Sequence, residues 1–173
     1  MLSSSAQKMA PKGGIEFDNL AGARGYSPWK QYGQSKMANL LFANELARRF
    51  AGTKRTANAV HPDVIQTNLG RHMNPIATFV FGLGNPLFLE DVGQGAATSC
   101  YVGVHPAAAT ISGRFFADCN VAEERQDGSD LETAKKLWTV SEEIVARLSV
   151  AVPPLRLSYS VFTDGSTHAP RNA

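Results

Sequence analysis

The spacing of apolar residues predicts a long amphipathic helix in the first third of the chain. Between Gln31 and Phe50 the sequence places apolar side chains on one face, at Met37, Leu40, Leu41, Phe42, Leu46 and Phe50. Charged residues occupy other faces, and Gly52 follows as a helix stop. We therefore expect this helix to pack one side against a hydrophobic core.

Short apolar runs alternate with further helical patterns along the rest of the chain. In order, we predict a strand over 56–60, a helix from an Asp91 cap through 93–102, a strand over 113–118, and a helix from an Asp130 cap to about Leu148. The opening Leu2–Ser5 is typical of a strand end. Such alternation predicts an α/β fold of parallel strands joined by right-handed crossovers, with ligands bound at the carboxyl ends of the strands.

Composition and charge narrow the class of protein. A length of 173 residues suits one domain, and 43% hydrophobic with 18% charged residues is a globular balance. The net charge of +2 comes from scattered basic residues and does not favour nucleic-acid binding. Cys100, Cys119 and the histidines lack metal-ligand spacing, so we predict no metal and a reducing, cytoplasmic setting. We interpret His61 as a strand-end residue with a satisfied hydrogen bond.

Two segments lack helical or strand periodicity. Residues 73–89 are the most apolar, but two prolines and two glycines interrupt them, and a membrane span needs roughly 20 apolar residues. We interpret this segment as a mobile apolar lid or a buried connector, predict no integral membrane span, and leave peripheral membrane association open. Residues 149–173 gather Pro, Ser and Thr and are predicted to form a disordered tail.

The most suggestive pair of side chains lies at the start of the first helix. Tyr32 and Lys36 are four positions apart, and residues with that spacing share a helix face with Cβ atoms about 6 Å apart. The pKa of a phenol is ordinarily about 10, and a neighbouring ammonium lowers it by favouring the phenolate. The pair could therefore transfer protons, although chance spacing explains such a pair equally well when it is considered alone.

Four segments across residues 1–148 form a recognisable order: Ser3–Ala6, Tyr32–Lys36 with the helix that follows, His61–Pro62 with Thr67, and Gly113–Cys119. Their order resembles the short-chain dehydrogenase/reductase family, in the branch of the retinol dehydrogenases and the WW-domain-containing oxidoreductase. The resemblance implies that residues 1–148 form a partial catalytic domain, the C-terminal portion of a Rossmann-like doubly wound parallel sheet. It also implies NAD(P)-dependent oxidation and reduction of alcohols and carbonyl compounds.

The resemblance implies roles for three side chains. Tyr32 would be the general acid/base, and Lys36 would lower the tyrosine pKa and bind the nicotinamide ribose. Ser4, the second serine of the family pattern, would polarise the substrate carbonyl. Its neighbours Ser3 and Ser5 are better explained as turn or cap residues.

The resemblance also implies how the nicotinamide cofactor would be bound. Tyr32 and Lys36 would contact it together with the backbone of Ile65 and the hydroxyl of Thr67, and the family favours NADP over NAD. One departure is Asp63, which stands after the proline where the family usually has glycine. Its negative charge would lie close to the cofactor, so we expect a lower affinity.

The glycine-rich turn that binds pyrophosphate in this family has no counterpart here. The stretches Gly22–Gly25 and Gly82–Gly84 do not match the G-x-G-x-x-G pattern between a strand and a helix. We therefore expect the first β-α-β cofactor-binding half to be absent through N-terminal truncation, which would expose a strand edge and make the isolated fold marginal.

Two hypotheses on function remain open at this stage. The first is an oxidoreductase acting on a small apolar alcohol or carbonyl substrate. It leaves open whether this chain is active alone, and one arrangement for it is a homodimer through the Tyr32 helix. The alternative is a noncatalytic interaction or regulatory fragment that keeps the dehydrogenase scaffold.

Overall fold

The computed structural model describes residues 1–62 and 92–151. The helices in these residues are α1 (Pro28–Arg49), α2 (Val92–Val104) and α3 (Leu131–Ala151), and the strands are β1 (Ala59–Val60), β2 (Phe115–Ala117) and β3 (Asn120–Val121). Short 3-10 helices lie at Ser5–Met9, Phe17–Asn19, Pro106–Ala108 and Gln126–Ser129. The predicted lid at 73–89, the Asp91 cap and most of the predicted tail fall outside the described residues.

Parallel pairing organises the sheet. The opening segment runs parallel to β1, with Ser3 N–H donating to Val60 O at 2.8 Å and Val60 N–H donating to Met1 O at 2.9 Å. On its other side β1 pairs in parallel with β2, placing Ala59 opposite Phe115. These parallel pairings, together with the helices, confirm the predicted Rossmann-like fold fragment.

A β-hairpin at the end of the sheet was not predicted. β3 pairs antiparallel with β2, and the turn between them places Asp118 and Cys119 at φ values of 49° and 58°. The purely parallel alternation expected from the sequence is wrong at this point. The turn requires two left-handed residues, but its sequence lacks the Asn-Gly or Asp-Gly pair that usually marks such a turn.

The predicted helices are present, with small shifts at their ends. α1 begins at Pro28, a residue suited to the first helical position because its missing N–H would have no partner there. At α3 the Asp130 carboxylate accepts hydrogen bonds from Glu132 N–H at 3.1 Å and from Thr133 Oγ1 at 2.6 Å. The predicted Asp130 cap is thereby confirmed, and α3 continues to Ala151.

The core lies where α1 meets α3 and the sheet. Its buried members include Met37, Leu40, Leu41, Ala43, Phe115, Ala134 and Leu137. Beside them the rings of Phe42 and Trp138 stack with centroids 4.7 Å apart, and the Arg49 guanidinium lies 4.0 Å from the Trp138 ring centroid. These contacts fix α1 relative to α3, and so they fix the helix that carries Tyr32 and Lys36.

The predicted apolar face of α3 is only partly buried. Leu137 is 7% exposed, whereas Ile144 and Leu148 are 37% and 59% exposed. The apolar spacing of α3 therefore continues beyond the part of the helix that is buried. Within residues 1–62 and 92–151, the core contacts of α3 come from its first two turns, and amphipathic spacing alone does not say how far along a helix its partner extends.

Candidate active site

Three consecutive serines, Ser3 to Ser5, lie at the end of the opening segment that pairs with β1, and each has different surroundings. Ser3 is buried, and its Oγ donates to Lys36 O at 2.7 Å. Ser4 is half-buried and caps the 3-10 helix Ser5–Met9, with its Oγ accepting from Ala6 N–H at 3.2 Å. Ser5 is exposed. The expectation that Ser3 and Ser5, and not Ser4, serve as cap residues is therefore wrong, because Ser4 forms the cap. The Ser3 hydroxyl is the one that bonds the α1 backbone.

Tyr32 and Lys36 lie on one face of α1, as their spacing predicts. The Lys36 Nζ atom lies 5.4 Å from the centroid of the Tyr32 ring. The Tyr32 residue is 39% exposed, whereas Lys36 is half-buried. A phenol therefore lies beside an ammonium at a position that a ligand could reach from solvent.

The serine segment is fastened directly to this part of α1. Asn39 Nδ2 donates to Leu2 O at 2.7 Å, one turn along the helix from the bond between Ser3 and Lys36. The close approach also needs Gly33, where an added Cβ would lie 2.6 Å from Met9 C. Ser4 therefore directly follows a residue, Ser3, whose side chain is bonded to the backbone of Lys36.

His61 ends β1 at the carboxyl edge of the sheet. Its backbone N–H donates to Phe116 O at 2.8 Å, as expected for a strand-end residue. Its Nδ1 atom is buried and has no hydrogen-bond partner among the described residues, so the predicted satisfied hydrogen bond is not found for this side-chain atom there. The other predicted contacts of this loop, Ile65, Thr67 and the unusual Asp63, lie outside the described residues.

The sequence did not predict two polar side chains that bond the backbone of segments packed near the Tyr32 helix. Gln34, inside the Tyr32–Lys36 motif, is buried and its Oε1 accepts from Glu16 N–H at 2.8 Å. Arg125 donates to Ala10 O at 2.6 Å, more than a hundred positions earlier in the chain. No local pattern marks these contacts, because each depends on where a distant part of the backbone lies.

Ionisable groups away from the serine segment are strongly influenced by their neighbours. Hydrogen bonds from Arg48, and then from Arg49, lower the pKa of Glu45 to about 2 against the opposing effect of burial. Burial raises the pKa of Glu124, opposed by the charge of Arg114. Both carboxyls belong to the packing around α1.

The described residues also bear on metal binding and on membrane insertion. They contain no cluster of His, Cys, Asp or Glu suited to a metal ion. None of the helices in this part of the chain combines the length and apolar character that crossing a bilayer requires.

Comparison with known proteins gives consistent relatives, although no family model matches the chain. It is 39% identical over 145 residues to retinol dehydrogenase 14 of Homo sapiens, covering 83% of this chain and 43% of that protein. It is 41% identical over 149 residues to the chloroplastic short-chain dehydrogenase TIC 32 A of Brassica napus, covering 85% and 46%. The chain thus spans less than half the length of these relatives.

A solved structure shares the fold. An uncharacterized protein from Mycobacterium paratuberculosis superposes with a TM-score of 0.59 at 28% sequence identity. The match covers 84% of this chain and 48% of that protein, a proportion close to that of the sequence matches.

Proposed function

Because the chain belongs to the short-chain dehydrogenase/reductase family, we propose that it supplies the catalytic part of an NAD(P)-dependent oxidoreductase that interconverts alcohols and carbonyl compounds. The observation that carries the proposal is the Tyr32–Lys36 pair, with Nζ 5.4 Å from the ring centroid, on the helix that binds the Ser4 segment. A general oxidoreductase function is common to the curated relatives. The cofactor, the residue roles and the activity of this chain are our proposals.

In the proposed mechanism Tyr32 moves the proton. During reduction its hydroxyl donates a proton to the carbonyl oxygen, and during oxidation its phenolate accepts the proton of the substrate alcohol. The Lys36 ammonium, close to the ring, stabilises the phenolate by its charge. The Ser4 hydroxyl donates a hydrogen bond to the same substrate oxygen, which stabilises the charge that develops there.

The described side chains of α1 suit the nicotinamide ribose end of an NAD(P) nucleotide. Such a cofactor, when bound, supplies or accepts the hydride at the substrate carbon. The exposed Tyr32 and the Lys36 ammonium offer hydrogen-bond donors to ribose hydroxyls from one helix face. We propose NADP ahead of NAD on family resemblance, with Ile65 and Thr67 as further contacts.

The surroundings of Tyr32 support a rather apolar substrate. Trp29 precedes Tyr32 by three positions on α1, so the two aromatic side chains lie on neighbouring parts of the helix surface. Both are 39% exposed. We propose that they form part of the approach for a small apolar alcohol or carbonyl compound.

The cellular setting and assembly remain proposals. The sequence predicts a cytoplasmic protein, whereas one relative is named as chloroplastic. A homodimer through α1 would place the Tyr32 helix of one copy near its partner, and sedimentation of the purified chain would test that arrangement.

Nucleotide titration tests the proposed function most directly. The purified chain is titrated with NADPH and then NADH while nucleotide fluorescence is followed, and turnover of a short-chain aldehyde is measured. We expect saturable but weak binding, because the chain has no counterpart of the family's pyrophosphate-binding turn. We expect Tyr32→Phe to keep that binding while kcat falls by at least about 100-fold, because the variant has lost its proton donor. Full turnover by Tyr32→Phe would contradict the assigned mechanism.

The neighbouring serines supply a matched control. Ser4→Ala removes the proposed hydrogen bond to the substrate oxygen and should lower kcat by about 100-fold. Ser5→Ala makes the same chemical change at the adjacent exposed residue and should leave kcat nearly unchanged. Equal losses in both variants would remove the special role of Ser4.

One observation favours the noncatalytic alternative. Asp63 stands where the family has glycine, and its charge would oppose that of the cofactor phosphates. If the Asp63 charge weakens cofactor binding, Asp63→Gly should bind NADPH more tightly than the natural sequence does. Absence of binding in both forms would favour an interaction or regulatory protein over an enzyme.

A further inference from the structure

Arg125 links the segment before α3 to the backbone that follows the candidate serine. Its guanidinium donates to Ala10 O at 2.6 Å, to Pro11 O at 2.7 Å and to Lys8 O at 3.3 Å. The carboxylate of Asp127 accepts two further hydrogen bonds from the same group. One side chain thus bonds three carbonyl groups within residues 8–11 from a position more than a hundred residues away in the sequence.

A second contact extends this link towards Ser4. The backbone N–H of Arg125 donates to Oε1 of the fully buried Gln7 at 3.3 Å. The backbone N–H of Gln7 in turn donates to Ser4 O at 3.0 Å. The 3-10 helix that Ser4 caps is therefore attached to Arg125 both through Gln7 and through the carbonyls that follow it.

The opposite side of this segment rests on α1. An added Cβ at Gly33 would lie 2.7 Å from Ala10 N and 2.9 Å from Ala6 O, so helix and segment are in direct backbone contact. Gly33 is the residue next to Tyr32. The segment that follows Ser4 is thus held between the Tyr32 helix on one side and Arg125 on the other.

We infer that Arg125 is a positioning residue: it presses residues 7–11 against α1 and thereby sets the place of the Ser4 hydroxyl relative to that of Tyr32. The inference rests on the proposed function, in which both hydroxyls must reach one substrate oxygen. Misplacement of a reacting group by about 1 Å can lower a rate by 100-fold. Arg125 need not touch substrate or cofactor to have this effect.

The chemistry of arginine suits this task better than that of lysine. A planar guanidinium has five N–H donors in a fixed arrangement, so it can serve several carbonyls and a carboxylate together. An ammonium has three donors on one atom and cannot span the same set of acceptors. Arg125→Lys should therefore keep only part of the hydrogen bonding that Arg125→Gln loses.

The first experiment measures the segment itself and does not depend on activity. Hydrogen exchange of the full chain is followed in peptides covering residues 5–14 for Arg125→Gln, Arg125→Lys and the natural sequence. We expect exchange at least ten-fold faster in Arg125→Gln, and an intermediate rate in Arg125→Lys. The matched control is Arg24→Gln, because Arg24 forms an exposed ion pair with Asp18, and it should leave these peptides unchanged.

The second experiment separates positioning from general stability. Turnover is divided by the number of nucleotide-binding sites found by titration, so that unfolded molecules are not counted. We expect kcat per site to fall ten- to 100-fold in Arg125→Gln, with an unchanged Kd for the nucleotide and partial rescue in Arg125→Lys. A loss of sites with unchanged kcat per site would overturn the inference.

The two proposals can fail separately. Lack of turnover in the natural sequence would overturn the proposed function, whatever the exchange data show. Unchanged exchange of residues 5–14 in Arg125→Gln would overturn the role of Arg125, whether or not the chain is active.

Discussion

At the scale of single residues, two positions show how backbone geometry restricts the side chain. Gly33 lies where another segment of backbone occupies the space of a Cβ. Asp118 and Cys119 adopt left-handed conformations that side chains disfavour. The first restriction concerns the candidate site, and the second concerns the β2–β3 hairpin.

We expect Gly33→Ala to push the serine segment away from α1. The new methyl group would lie 2.6 Å from Met9 C, where backbone must shift to admit it, and such overpacking costs about 1–3 kcal/mol of unfolding free energy. Urea denaturation followed by circular dichroism measures this loss.

Gly103→Ala is the matched control for that substitution. Gly103 lies in α2, and outside its own helix no atom of the described residues lies within 4 Å of an added Cβ. The same change there should stabilise the protein by about 0.5–1 kcal/mol, because alanine is the better helix former. Similar effects at both glycines would show that helix propensity, and not close packing, determines the change in stability at Gly33.

The turn at Cys119 gives a second prediction at this scale. Cys119→Gly should raise the unfolding free energy by about 0.5–1 kcal/mol, because glycine adopts the φ of 58° without a Cβ clash. The backbone N–H of Cys119 keeps its hydrogen bond to Thr98 Oγ1 in any such variant. Cys119→Ala removes the thiol but keeps the strain, so a gain in that variant would refute the conformational explanation.

At the scale of elements, a buried carboxylate organises the charged end of α1. The Glu45 side chain has no exposed surface and bonds both Arg48 and Arg49 at 2.7 Å. Arg49 in turn lies against the ring of Trp138 on α3. An ion pair within one helix is thereby coupled to the packing between two helices.

The pKa of Glu45 predicts how this contribution depends on pH. Since the folded pKa is about 2 and the ordinary value is 4.5, the unfolded chain binds more protons between these values. The stabilisation is therefore complete above about pH 5 and is lost as the pH falls towards 2. We expect the unfolding free energy of Glu45→Gln to be lower by about 1 kcal/mol at pH 7, a figure that is reduced because the arginines are partly exposed to solvent. The difference from the natural sequence should shrink on acidification.

Glu132→Gln provides the control for the Glu45 experiment. Glu132 pairs with Lys135 at 2.7 Å on α3, but its side chain is 82% exposed. Exposed pairs contribute little to stability, so thermal unfolding of this variant should match the natural sequence at every pH. A pH-independent difference for Glu45→Gln would contradict the ion-pair explanation.

At the scale of the whole molecule, the described sheet has an apolar strand segment at its edge. Met1 and Leu2 are 45% and 56% exposed, and within the described residues their segment has a neighbouring strand only on the β1 side. Unpaired backbone at such an edge favours pairing with other chains. The packing of α1 on α3 does not supply a strand partner for the backbone at this edge of the described sheet.

We therefore expect the purified chain to associate as its concentration rises, and Leu2→Lys to weaken that association. A charge on an edge strand opposes strand pairing. Light scattering over a concentration series measures the effect. Leu20→Lys makes the same change at a leucine that is 42% exposed away from the sheet, and an equal effect there would point to general surface hydrophobicity instead.

The sequence by itself determined the local features of this protein. Apolar periodicity predicted α1 and α3, the Asp130 cap followed from its position before a helical pattern, and the spacing of Tyr32 and Lys36 placed both on one face. These predictions succeeded because neighbours in a helix are also neighbours in the sequence. The same reasoning failed at the β2–β3 turn, whose residues lack the usual turn signature.

Only the tertiary structure decided which distant segments meet. The bonds from Arg125 to Ala10 and from Ser3 to Lys36 join residues 115 and 33 positions apart. The need for glycine at position 33 follows from the same packing. Such contacts depend on the path of the whole backbone, which side-chain periodicity does not encode, and they bring the candidate serine to the helix of the tyrosine and lysine.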